Sequence, residues 1–324
     1  MGHVLSIGEM MVQMCPTLEG PLRQARAYER YVAGSEGNTL VSLELLGVKT
    51  RFISRVGDDE LGSAILSELR ARGIDVSWIA RDKDAPTGVY FIQRGYPLQG
   101  KTTVLYYRKG SAASRLSPQD LSEEVMDDVK LVFMTGITPA LSPSCNEACL
   151  KLMEMARSHD RPLAFDTNIR IKLLPDRAYG QKLLLPFLKE AKYIFTGAGD
   201  LTYLFGPGEI EEQIVQLRDL APKADIILVK LGKHGAVVYE QDKVFRHQGY
   251  QVKVVDELGA GDAFSGAFIA SMLRGDTVEH ALRYANAAGA LTVTAKGDLE
   301  PLPTWNDLSL FLSYYEDSEA QLLR

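Results

Sequence analysis

The chain has 324 residues, 46% of them hydrophobic, with 36 Lys and Arg against 42 Asp and Glu for a formal charge of −6. That length and apolar content supply ample material for a substantial core. The interspersed acids and bases form neither the basic stripe of a nucleic-acid reader nor a membrane-binding cluster, so the expected partners are small molecules, with no nucleic acid and no membrane.

At the start of the chain, "MGHVLSIGEMMVQM" has neither the basic flank nor the long apolar stretch of a secretion signal, and no apolar run reaches membrane-spanning length. The expected location is the cytoplasm. Gly2 and Ser6 fit the letters of a myristoylation signal, yet "HVLSIG" reads as a buried first strand that leaves the terminus no freedom to carry a lipid. "LRQARAYERYVAG" is strand-like. "AGSEGNTLVSLELLG" then places Gly34, Gly37 and Asn38 at the entry to a helix, where backbone and an amide side chain can meet a polar ligand; an ordinary glycine turn explains them equally well. "TRFISRVG" reads as a strand and "GSAILSELRARG" as a helix. From Thr87 to Lys109, two β-type runs surround a Gly- and Pro-containing turn with no helix between them. These segments predict a small β-sheet, built from about residues 10–33 and 86–110, extruded from the core as a lid.

Beyond it, the apolar runs "LVFMTGI", "PLAFD", "KYIFTG" and "DIILVKLG" are separated by helical patterns such as "CNEACLKLMEMARSH". The alternation predicts an α/β fold, a mostly parallel sheet with helices on both faces. After Val254 the pattern turns helical through "AGDAFSGAFIASMLRG", "TVEHALRYANAAGALTVTA" and "TWNDLSLFLSYYED". No repeat or linker interrupts the chain, so residues 1–324 are expected to form one domain plus its lid. Of the three cysteines, Cys145 and Cys149 lie four apart on an apolar helical pattern and Cys15 is left over, which predicts free thiols in a reducing compartment. None of the five histidines stands at metal-ligand spacing with Cys or acids, so no protein-held zinc is expected.

Within the lid, "GYPLQGKT" (Gly95 to Thr102) matches the phosphate-binding P-loop pattern. A P-loop needs a strand before it and a helix after it, because the helix start supplies the amides that hold phosphate. After Lys101 the chain instead runs "TTVLYYR", β-branched and aromatic, and Pro97 with two glycines suits a hairpin. The match is therefore read as a decoy.

Other placements are better. "FDTNIR" ends an apolar strand with Asp166, Asn168 and Arg170 at the carboxyl edge, where ligands sit in open α/β sheets. "VKLGKHGAVVY" carries Gly232 and Gly235 in a turn between strands, which alone says only hairpin. "VVDELGAGDAFSGAF" sets Gly259, Ala260 and Gly261 before Asp262 and an apolar helix, so that unpaired amides and a positive dipole end would attract an anion. Asp262 is either the cap that satisfies those amides or a reactive carboxylate beside them.

Taken in order, these motifs resemble the PfkB, or ribokinase-like, carbohydrate kinases, from Gly8 to about Thr304. "IGEMM", "YYRKGSAAS", "TGITPALS", "FDTNIR" and "GDLEPLPT" are most similar to the 2-keto-3-deoxygluconate kinase branch. The resemblance implies a three-layer α/β/α core and ATP-dependent phosphorylation of the terminal hydroxyl of 2-keto-3-deoxygluconate, with fructokinase or another sugar-acid kinase as the nearest rival. A catalytically silent sugar sensor would have lost its base, whereas Asp262 is present.

The resemblance also implies roles. Asp262 would be the general base, with the amides of Gly259, Ala260 and Gly261 as an anion hole. Gly34 and Asn38 would meet acceptor hydroxyls, Tyr90 and Tyr106 the sugar wall, and Arg108 and Arg170 the polar ends. Charge argues independently for a sugar acid, since a guanidinium gives a carboxylate bidentate, charge-assisted hydrogen bonds; a solvated lid arginine is the plain alternative for Arg108. Lys230, Gly232, Gly235 and Asn286 would border the nucleotide, with Asn168 nearby and Asp200 orienting magnesium through water. Asn286 reads equally as a polar group satisfied within its helix. Gly197 and Asp200 stand where the family usually carries N-x-x-E, and Glu257-Leu258 come after Asp256 where many relatives have Thr. A monovalent cation such as potassium near Asp256 is left open. A homodimer through the lids is also implied, because exposed strand edges invite pairing.

Overall fold

The computed structural model describes residues 2–98 and 102–322. Residues 99–101, which include Lys101 of the P-loop-like string, lie outside the described residues. In chain order the first elements are β1 (His3–Ile7), β2 (Met11–Pro16), β3 (Tyr28–Ala33), α1 (Ser35–Leu45), β4 (Thr50–Gly57), α2 (Glu60–Ala71), β5 (Ile79–Asp82), β6 (Val89–Arg94) and β7 (Thr102–Tyr107). Then come β8 (Val129–Thr135), α3 (Pro143–Ser158), β9 (Leu163–Asp166), α4 (Arg177–Glu190), β10 (Tyr193–Gly197), α5 (Ala198–Phe205), α6 (Ile210–Leu220) and β11 (Ile226–Lys230). The hairpin β12 (Ala236–Glu240) and β13 (Lys243–His247) precedes α7 (Ala260–Arg274), α8 (Val278–Thr292) and α9 (Trp305–Leu322).

The large sheet runs β13-β12-β11-β10-β9-β8-β1-β4-β5. Its neighbours are parallel from β5 to β11, and β12 and β13 add antiparallel at one edge. Successive side chains of a strand point to opposite faces, and both faces are apolar here because both are covered. In β8, Leu131 and Phe133 enter a core shared with Leu40 of α1, Phe268 of α7 and Ala285 of α8. Val132 and Met134 enter the other, with Cys149 of α3 and Phe187 of α4. The expected free thiols are seen: Cys15, Cys145 and Cys149 are unbridged and buried.

The second sheet has the order β3-β2-β6-β7, with β2 antiparallel to β3, parallel to β6, and β6 antiparallel to β7. Its buried face is Met11, Ala33, Tyr90 and Ile92, against which Leu258 packs from the loop before α7. One boundary differs from expectation. The strand in "LRQARAYERYVAG" begins only at Tyr28, because the amides of Gln24 and Ala25 bond back to Pro21 and Leu22 in a 3-10 turn.

Parallel strands all end on one edge of the sheet, and there the chain places Glu9, Thr135, Asp166 and Lys230 after β1, β8, β9 and β11. Above that edge α1 and α7 cross closely: a Cβ added to Gly266 would lie 2.6 Å from Cβ of Ser42. Absence of that carbon lets the two helix starts meet. Among the described residues no helix is long and apolar enough to cross a membrane.

Candidate active site

Gly259 is the N-cap of α7 at φ +74°, a left-handed conformation suited to glycine. No side chain caps this helix start. The capping alternative for Asp262 is thereby corrected. Its carboxylate turns away from the α7 amides and toward α1, accepting from Ser35 Oγ at 2.6 Å and Asn38 Nδ2 at 2.8 Å. The Asp262 amide turns back to Gly259 O at 3.1 Å, while among the described residues the amides of Ala260 and Gly261 have no backbone acceptor and remain available to an anion. Burial pushes the Asp262 carboxyl up, against the lowering effect of its bonds from Ser35 and Asn38.

Asn38 is fixed from both ends. Its Oδ1 accepts from the Gly34 amide at 3.1 Å, and its Nδ2 also reaches Asp298 Oδ2 at 3.3 Å. Asn168 donates to Ser35 Oγ at 2.6 Å. Gln13 Nε2 donates to Asp298 Oδ1 at 2.8 Å and to the Tyr90 hydroxyl at 2.7 Å.

Of these residues Gly34, Ser35, Asn38, Tyr90, Asp262 and Asp298 line one cavity, walled in addition by Tyr106, Arg108 and Arg170. Tyr90 and Tyr106 have ring centroids 5.6 Å apart and form one side. Arg108 is not a solvated lid arginine: its side chain is 10% exposed, and Nε donates to Glu9 Oε2 at 2.7 Å while Ser111 Oγ donates to Glu9 Oε1 at 2.5 Å. Arg170, by contrast, is exposed and makes no ion pair among the described residues. Glu36 lies on the floor, where the hydroxyls of Thr135 and Thr138 each donate to its Oε1 at 2.6 Å and burial pushes its carboxyl up.

A second cavity at the α7 start is lined by Lys230, Gly232, Gly235, Gly261, Asn286 and Glu257 among others. Asn286 donates to its own helix at Leu282 O, 2.9 Å away, so the in-helix alternative describes its amide nitrogen. Lys230 lines this cavity with its Nζ 2.5 Å from Asp166 Oδ2 and 3.1 Å from Ser265 Oγ. Asn168 and Asp200 do not line the second cavity. Asp200 is held at 2.6 Å by the Thr167 hydroxyl and at 3.3 Å by the Ile169 amide, and burial pushes its carboxyl up.

Asp298 was not singled out in the sequence. It is buried on the first cavity, and burial together with the nearby charges of Asp262 and Asp256 pushes its carboxyl up to about 7, despite the bond from Gln13. The unfolded value stays near 3.8, so the native state keeps a proton that the unfolded chain has released. The linked stabilisation is full below that value and is lost as pH rises to about 7. Asp298→Asn is expected to flatten this part of the stability curve, as read by urea melts across the same window.

Asp256 decides whether a monovalent cation can sit beside it. Its carboxylate is 1% exposed and already paired with the guanidinium of Arg94 from β6, while Oδ1 accepts from the Leu258 amide at 3.3 Å. A guanidinium on Asp256 leaves a donor set that does not fit a monovalent metal ion.

Two cavities lie at one helix start, with Asp262 and Gly259 lining the first and Ala260 and Gly261 the second, an arrangement compatible with phosphoryl transfer between two small molecules. Residues 1–305 match the model of the pfkB family carbohydrate kinases, and the chain belongs to that family. It is 39% identical over 302 residues, 93% of this chain and 91% of the relative, to the 2-dehydro-3-deoxygluconokinase of Thermoproteus tenax. It is 33% identical over 311 residues, 95% of each chain, to the 2-dehydro-3-deoxygluconokinase of Bacillus subtilis (strain 168). Among solved structures, a putative ribokinase II from E. coli in complex with ATP and Mg2+ superposes with a TM-score of 0.90 at 27% identity, covering 97% of this chain and 100% of that one. The fold is thus the ribokinase-like α/β fold with its second small sheet, and the protein is a carbohydrate kinase.

Proposed function

We propose that the protein transfers the γ-phosphoryl group of ATP to the terminal hydroxyl of 2-dehydro-3-deoxygluconate (2-keto-3-deoxygluconate), giving the 6-phosphate and ADP. The observation that carries this reading is a guanidinium with no ion-pair partner among the described residues, Arg170, on the wall of the same cavity as Asp262. A neutral sugar has no charge to offer that arginine, whereas a sugar acid has a carboxylate. The two 2-dehydro-3-deoxygluconokinase relatives support the same choice.

In this reading ATP lies in the second cavity and the sugar acid in the first. Asp262 takes the proton of the attacking hydroxyl, a new P–O bond forms to that oxygen, and the bond to the β-phosphate oxygen breaks to release ADP. The amides of Gly259, Ala260 and Gly261 hold the charge on the transferring group. Ser35 and Asn38 keep the Asp262 carboxylate aimed at the acceptor. Asp200 fits the outer shell of magnesium, because its Oδ2 is held by protein donors while Oδ1 has none among the described residues. Magnesium bound with ATP would supply charge neutralisation at the phosphates.

The small sheet acts as a lid over the acceptor. Its outer strand β7 exposes Leu105 at 38% and Tyr107 at 67%, an uncovered edge that favours pairing with a second copy. Light scattering is expected to give a dimer mass. The decisive experiment is ATP turnover across keto-deoxy sugar acids, fructose, ribose and nucleosides. The highest kcat/KM is expected for 2-dehydro-3-deoxygluconate; preference for fructose would overturn the substrate and leave the kinase standing.

A further inference from the structure

Asp256 opens the turn that leads to the α7 amides. It is 3% exposed, and its backbone amide reaches Val293 O at 3.2 Å, so both its main chain and its side chain are buried in contacts. A buried carboxylate is strongly unfavourable unless a cation accompanies it. The chain supplies that cation from a distant segment. Arg94, the last residue of β6, places one arm of its guanidinium on Asp256 Oδ2 and the other on Cys15 Sγ of β2, and its side chain is only 13% exposed.

Two residues further along the same turn, Leu258 packs on Met11, Ala33, Tyr90 and Ile92 of the small sheet and also lines the acceptor cavity. Gly259, the next residue, begins α7. The turn is therefore tied to the small sheet twice, by an ion pair at one end and by an apolar contact at the other. Neither Arg94 nor Asp256 lines either cavity, so their effect on transfer must pass through the turn.

We infer that Arg94 is a positioning residue, a built-in counter-cation for Asp256 that fixes the turn before the anion-binding amides, so that the site works without an inorganic monovalent cation. The planar fork of a guanidinium suits this place, because it satisfies Asp256 and Cys15 together while a bare ion brings no second tether.

The test compares the wild-type chain with Arg94→Ala and Arg94→Lys, in tetramethylammonium buffer with and without added KCl. Two readouts are taken: turnover with whichever sugar the substrate screen ranks first, and the melting temperature without substrate. Wild-type rate and melting temperature are expected to be indifferent to KCl. Arg94→Ala is expected to lose about 10- to 100-fold in kcat, the usual cost of removing an orienting partner, with KM for sugar little changed. It should also melt lower, and both losses should be partly reversed by KCl or by dilute guanidinium, which can enter the space the side chain leaves. Arg94→Lys keeps the charge but not the two-armed fork, and should lose less than Arg94→Ala.

A wild-type enzyme that needs potassium, or that melts higher in its presence, would overturn the proposal. So would Arg94→Ala turning over at the wild-type rate, or Arg94→Lys losing as much as Arg94→Ala. If Arg94→Ala fails to fold, the potassium response of the wild type and the behaviour of Arg94→Lys still decide the matter. The melting experiment contains no sugar, so its outcome is independent of the substrate assignment.

Discussion

Asp262→Asn is expected to lower the rate of phosphoryl transfer by about 10² to 10⁴ while nucleotide affinity stays within a few-fold. The amide keeps the size of the carboxylate and can still accept from Ser35 or Asn38, but it cannot take a proton from an attacking hydroxyl. Nucleotide affinity is spared because Asp262 faces the acceptor cavity and the second cavity is lined by other residues. The wild-type pH profile should carry the same signature. Burial raises the Asp262 carboxyl, and only its ionised form serves as base, so kcat should fall as pH drops through a value above the ordinary carboxylate range. Single-turnover transfer and nucleotide titration check both statements; near-normal transfer in the variant would remove Asp262 from the role of base.

The second large effect is a difference between two arginines. Truncating one partner of a buried, hydrogen-bonded charge pair costs about 2 to 5 kcal/mol, or about 30-fold to a few thousand-fold. Arg170 has no ion-pair partner among the described residues, so its only charge to lose is that of the acceptor. Arg170→Ala should lower kcat/KM for 2-dehydro-3-deoxygluconate by roughly 30-fold, the lower end because the side chain is exposed, and hardly alter residual activity toward fructose. Arg108 is already committed to Glu9, which its loss would leave buried without a counter-charge. Arg108→Ala should therefore cost both substrates and lower the melting temperature as well. Kinetics of both variants with both sugars separate the cases, and equal losses in Arg170→Ala would deny that arginine a carboxylate contact.

Local signals in the sequence carried the architecture. Alternating apolar runs marked the parallel strands, and the uninterrupted β-type stretch around Pro97 marked the small sheet, because each depends on near neighbours in the chain. The same is true of the glycine-flanked helix start at Asp262. What could not be read there was where the carboxylate points, since that depends on α1 meeting α7 through Gly266. Asp298 escaped notice for a similar reason. Its partners Gln13 and Asn38 lie 285 and 260 residues away, and no spacing rule distinguishes such an acid from a surface one. Glu9 entered the sequence reading only as a letter of "IGEMM", and its union with Arg108 spans 99 residues.

The parallel pairing of β2 with β6 also has a meaning for how the molecule assembles. Residues as close in space as Gln13 and Tyr90 are 77 apart in the chain, and the intervening segment holds β3, α1 and the β4-α2-β5 unit of the large sheet. Closing so long a loop is entropically costly unless structure within it has already brought its ends together. On this argument the tyrosine wall of the first cavity is expected to close late, over a core edge already built, and a nascent chain that ends before β6 carries Gln13 without Tyr90 and Tyr106.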